Sequence, residues 1–182
     1  MQVSCILANG FDRTDIDPKI LKDIGSLWGS RSTWRQWSTD NVVCYDTRTA
    51  KDLIKRAFQA VCNFYVPKKS FAELERPAGV KLFDGEFPSE FDNVEEIISM
   101  HLVSENSDLV LLFGFDLTEP TTTDKLEKHK RMNYLSAFGA AVNMHTDTQW
   151  VLLDHEGDIP KNFLEFENLT VDTYENVITL LT

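Results

Sequence analysis

Three short polar pairs stand where strand-like apolar runs end: Asn9-Gly10 after residues 2–8, Ser30-Arg31 after 26–29, and Asp46-Thr47 after 41–45. Strand ends in a parallel sheet form a shared crevice, so the three pairs are expected to line one site. Each offers different chemistry. A glycine after a strand lets the backbone turn tightly and expose amide donors, and the Asn9 carboxamide presents both donor and acceptor to a ribose, base or phosphate. Asn-Gly is equally the commonest turn dipeptide. The Arg31 guanidinium can grip a phosphate or carboxylate bidentately, or pair with one of the chain's many carboxylates. Asp116, just after the run 109–113, is placed to meet a ribose or an acceptor hydroxyl, or to cap its own loop. Trp28, Trp34 and Trp37 could stack on a base or fill core.

The four histidines are scattered along the chain without metal-ligand spacing, so no metal is expected. His129 stands in Lys128-His129-Lys130-Arg131, which reads as a solvated helix face or as a basic cluster able to hold a departing phosphate. His155 follows a strand end and could reach the same crevice or belong to a plain loop. There is no P-loop, full GxGxxG or GxSxG, so NTPase, dehydrogenase and esterase readings lose their usual support.

Strands are expected at residues 2–8, 26–29, 41–45, 80–83, 109–113 and 149–153, with a weaker one at 169–171. Several are continuously apolar, as strands covered on both faces should be. Helices alternate with them. Asp17-Pro18 opens one to Ile24, and Thr49 caps another in which Leu53, Ile54, Ala57, Phe58 and Val61 recur at helical spacing. Residues 92–105, 124–145 and 173–181 supply three more. The alternation predicts a three-layer α/β domain, Rossmann-like, with a mainly parallel sheet and helices on both faces. Residues 67–89, with three prolines and mixed charge, read as an insertion or lid.

A chain of 182 residues is one domain by size, and its net charge of −11 argues against nucleic acid as a partner. Cys5, Cys44 and Cys62 have no CxxC spacing and read as reduced thiols. No apolar run approaches a membrane span, and the opening residues lack a charged leader, so a cytoplasmic location is expected.

The opening Val3-Ser4-Cys5-Ile6-Leu7-Ala8-Asn9-Gly10, with Asp15-Ile16-Asp17 beyond it, resembles that of the bacterial CMP-sialic-acid-dependent sialyltransferases. It resembles equally a broader sialyltransferase-like group, which includes 6-hydroxymethylpterin diphosphokinase-like proteins and uncharacterised phage proteins. That group's first strand ends in Asn-Gly-Pro-Ser, where this chain has Phe11 and Asp12 after the shared Asn-Gly. The block from Gly29 to Trp37 is similar to the group's Gly-Cys-Asn segment, with Arg31 at the asparagine position. Residues 41–46 resemble the strand that ends in an acidic or amide residue, and 109–117 the late strand ending in Gly-hydrophobic-Asp. The resemblance implies a nucleotide or nucleotide-sugar ligand held by Asn9, Gly10, Arg31, Asp46 and Asp116, no further cofactor, and glycosyl transfer as the activity. In the resembled transferases a histidine beyond the late strand takes the proton of the acceptor hydroxyl; only His129 and His155 are placed for that role here, and His129 is taken as the catalytic residue. The replaced Pro-Ser and asparagine favour the alternative, a non-catalytic binding or interaction protein on the same scaffold.

Overall fold

The computed structural model describes all residues except 10–15, 17, 88–92, 155–157 and 182, and describes the backbone alone at Pro18 and Arg31. The chain runs β1 (Val3–Leu7), α1 (Pro18–Ile24), β2 (Ser26–Ser30), α2 (Arg31–Trp37), β3 (Asn41–Val43), α3 (Thr47–Lys55) and β4 (Asn63–Pro67). It continues through β5 (Val80–Phe83), α4 (Val94–Ser104), β6 (Leu109–Phe113), α5 (Lys125–Met144), β7 (Gln149–Leu153), β8 (Leu169–Asp172) and α6 (Tyr174–Leu181). Among the described residues the eight strands form one sheet, ordered β5-β4-β3-β2-β1-β6-β7-β8, with every neighbouring pair parallel. This is the expected three-layer α/β arrangement.

Period-two alternation sends successive residues to opposite faces. Ile6, Trp28, Val43, Val110, Leu112, Trp150 and Leu152 pack beneath α4 and α5. On the other face Cys5, Leu7, Leu27, Leu111 and Phe113 meet Leu21 of α1, Trp37 of α2 and Val177 of α6. Val42, Phe64 and Val66 continue that face under Ala50 and Leu53 of α3. None of the three cysteines is in a disulfide. No described helix is long and apolar enough to cross a membrane.

Two elements differ from the sequence expectation. The helix expected to run from Thr49 through Val61 begins at Thr47 and stops at Lys55. Its cap is Asp46, whose carboxylate accepts from the Thr49 amide at 3.4 Å, and Ala57 beyond it takes a left-handed φ of 56°. The residues freed by that stop form a single tight turn at Phe58–Ala60, and β4, an additional strand, follows at Asn63–Pro67. Of the stretch 67–89, Pro67 ends β4 and Val80–Phe83 forms the edge strand β5.

Asp124 caps α5 by accepting from the amides of Leu126 at 2.8 Å and Glu127 at 3.0 Å. Asp124→Ala is expected to cost about 1 kcal/mol. Thermal melts should register this as a fall of roughly 2–4 °C, and an unchanged melting temperature would show that the cap contributes nothing.

Candidate functional site

The strand order reverses between β1 and β6. The chain leaves β1 toward β2, over the face carrying α1, and leaves β6 toward β7, over the face carrying α5. Connections that diverge in this way open a crevice at the carboxyl ends of the two strands, where ligands of open α/β sheets bind. Asn9 follows β1 and Asp116 follows β6, so they stand on the two sides of that reversal. Arg31 follows β2 directly and Asp46 follows β3, both at the same edge. The side chain of Arg31, and all of Gly10 and His155, lie outside what is described.

Asn9 is tied down by three bonds. Its backbone N–H donates to Glu96 Oε1 at 3.0 Å, its Nδ2 donates to Asn93 Oδ1 at 2.7 Å, and its Oδ1 accepts from Ser30 Oγ at 3.0 Å. The ends of β1 and β2 and the first turn of α4 are thereby joined. Gly29, one residue before Ser30, lets α2 fold back against the end of β2, because a Cβ there would lie 2.4 Å from Thr33 Oγ1. On the neighbouring strand, the Tyr45 amide donates to Glu95 Oε1 at 3.4 Å, the Tyr45 hydroxyl donates to the Phe87 carbonyl at 2.7 Å, and Lys69 Nζ donates to that hydroxyl at 3.2 Å.

Across the reversal, Gly114 turns the chain out of β6 with a φ of 69°, a conformation that favours glycine. Asp116 Oδ1 then accepts from the Thr118 amide at 3.0 Å and the Thr118 hydroxyl at 2.7 Å, and pairs with Arg131 Nη2 at 2.6 Å. Arg131 Nε donates to the Thr118 carbonyl at 3.0 Å, and the guanidinium lies 5.5 Å from the Tyr134 ring centroid. Tyr134 in turn donates its hydroxyl to Glu96 Oε2 at 2.6 Å. A single polar chain, Asn9–Glu96–Tyr134–Arg131–Asp116, therefore spans the crevice from β1 to β6.

Glu96 is the unusual member. It is 5 % exposed, and burial pushes its carboxyl up to about 7, against the opposing hydrogen bonds from Tyr134 and Asn9. Near neutral pH this group both holds and releases a proton. The same burial, with the Glu96 carboxylate adjacent, holds the Tyr134 hydroxyl well above its ordinary range. Partial burial raises Asp116, but its bonds to Thr118 and Arg131 outweigh that and hold it below the usual carboxylate range.

Asn9 and Asp116 thus belong to one network. The Asp46 carboxylate is directed to its own helix, where it caps α3. His129 lies on the exposed side of α5, with Nε2 3.2 Å from Asn133 Nδ2. Two residues on, roughly 200° around the helix, Arg131 faces Thr118 and Asp116.

Sequence reasoning passed over Glu96 and Tyr134 as site members and counted Arg131 only within the basic cluster 128–131. The available signal was a carboxylate in Val94-Glu95-Glu96-Ile97-Ile98, a helix whose buried residues lie on nearly every side. It also kept the histidines apart. The structure brings two of them together, with His101 Nδ1 and His145 Nε2 2.9 Å apart where α4 and α5 end. Among the described residues no group of three or more metal-ligating side chains converges.

No family model matches the chain, and neither a curated protein nor a solved structure is significantly similar to it.

Proposed function

We propose that the chain is a sialyltransferase-like protein that binds a nucleotide or nucleotide sugar in the carboxyl-edge crevice between β1 and β6. The observation that carries this reading is the polar chain from Asn9 to Asp116, set across the reversal of strand order, where the fold opens a crevice at the strand ends. Asn9 is held by its neighbours before any ligand arrives, which lowers the ordering cost of capture. Asp116 offers a carboxylate oxygen for a ribose hydroxyl.

The test is a thermal-shift panel of cytidine nucleotides, nucleotide sugars and pterins. Binding to the folded state at a hundredfold excess over Kd adds about 2.7 kcal/mol, a rise of roughly 5–10 °C for a chain of this size. No shift with any member at millimolar concentration would sink the reading.

Glycosyl transfer is the second reading; it rests on the resemblance of the strand ends to the sialyltransferase-like group, and its candidate base, His129, lies on the side of α5 away from Asp116. If transfer occurs, His129→Ala is expected to lower turnover roughly a hundredfold while leaving the nucleotide-induced shift intact. A full shift with no transfer or donor hydrolysis for any sugar nucleotide would leave the binding module as the function.

A further inference from the structure

A second cavity, of about 120 Å³, lies at the opposite edge of the sheet, beneath the end of α4 and against the amino ends of β1 and β2. A five-residue strand, roughly 17 Å, separates it from the carboxyl-edge crevice. Its chemistry is independent of the function proposed above.

Three serine hydroxyls form one side. Ser4 Oγ is 2.9 Å from Ser26 Oγ and 2.8 Å from Ser107 Oγ, and Trp28 Nε1 donates to Ser26 Oγ at 3.1 Å. Three hydroxyls carry three hydrogens, and only two bonds join them. Whichever way the chain is oriented, one O–H is left pointing to an acceptor outside it. Ser4 is 2 % and Ser107 8 % exposed, Ser26 is half-buried, and all three line the cavity, which gives that O–H room for an acceptor. The apolar part of the lining is formed by the Trp28 and Tyr65 rings, whose centroids are 5.0 Å apart, and by Leu102 and Val103.

The rim decides the charge of what enters. Glu105 lines it, and the Asp108 carboxylate holds the neighbouring Gln2 amide at 2.6 Å. The nearby Lys81 ammonium is engaged with Tyr65, 3.4 Å from its hydroxyl. An anion is repelled, and a bare ammonium has no lone pair for the waiting O–H. What remains is a neutral molecule with hydroxyl oxygens on one side and C–H groups on the other. The volume corresponds to about four waters, which matches a three- to four-carbon chain.

We infer that this amino-edge cavity is a binding site for a short neutral polyol, its oxygens on the serine chain and its C–H edge on Trp28 and Tyr65. The test is a titration of the full chain, followed by amide and indole N–H resonances, with erythritol, glycerol and the anionic erythritol phosphate. Saturable shifts of the Trp28 indole and of the Ser26 and Ser107 amides are expected with erythritol, weaker with glycerol and none with the phosphate ester. Ser107→Ala should weaken erythritol at least fivefold, and Leu102→Phe, which fills the space without touching a hydrogen bond, should abolish binding. Linear drift common to all three compounds, preference for the phosphate ester, or undiminished binding in Leu102→Phe would each overturn the proposal. Should Ser107→Ala fail to fold, Leu102→Phe decides alone.

Discussion

Glu96→Gln is expected to abolish a pH dependence worth about 3 kcal/mol of stability. Burial raises the Glu96 carboxyl from 4.5 to about 7 in the folded chain, and every tenfold weakening of an acid corresponds to about 1.4 kcal/mol. The folded state keeps a proton that the unfolded state releases, so this contribution is complete below pH 4.5 and is lost as pH rises through 7. An amide does not titrate, and it can still accept from Asn9 while facing the Tyr134 hydroxyl. Urea melts of the two proteins should therefore diverge between pH 4.5 and 8, the wild type losing stability relative to the variant. Parallel curves across that range would mean that the Glu96 carboxyl titrates alike in the folded and unfolded chain.

The histidine pair works in the other direction. Burial and the neighbouring His145 lower His101, and burial lowers His145 against the pull of Glu105. Their contribution is present above about pH 6.5 and is lost as pH falls. The difference between wild type and Glu96→Gln, not the raw profile, therefore isolates the carboxyl.

Phe138→Ala is the most damaging single change expected. The ring is fully buried, 5.9 Å from Phe115 and 5.4 Å from Phe163 by centroid, so its loss leaves a cavity where the facing groups cannot close. The cost should be about 3–5 kcal/mol by urea denaturation. Phe115 precedes Asp116, so the variant should also lose whatever stabilisation a nucleotide gives the wild type. A loss below roughly 1.5 kcal/mol would show that the core repacks and that the ring does not anchor the site loop.

The sheet was legible in the sequence wherever β-branched and aliphatic residues ran without interruption, as in β1, β6 and β7. The end of α3 was not, because Phe58 and Val61 continue the helical period past the point where Ala57 turns left-handed. Alanine is a strong helix former, and no glycine marks the stop. The edge occupied by Asn9, Arg31, Asp46 and Asp116 followed from strand order alone. The partners of Asn9 and Asp116 did not, since Glu96 lies 87 positions from Asn9 and no local spacing encodes such a contact. The pairing of His101 with His145 was hidden for the same reason.

The position of β1 in the sheet also sets an order of assembly. Val3 pairs with Leu109, whereas the other flank of β1 is matched by Ser26. During synthesis β1 through β5 emerge as a half-sheet whose free border is β1 itself, apolar on both faces and with the backbone groups on its outer flank unpaired. From the making of β1, that border stays open until β6 follows, roughly 5–20 s later at ordinary elongation rates. Closure across more than a hundred residues is slow by its nature. The nascent chain is therefore most vulnerable to misassociation at the strand that later supports the site, and a holding chaperone would act there, before the sixth strand arrives.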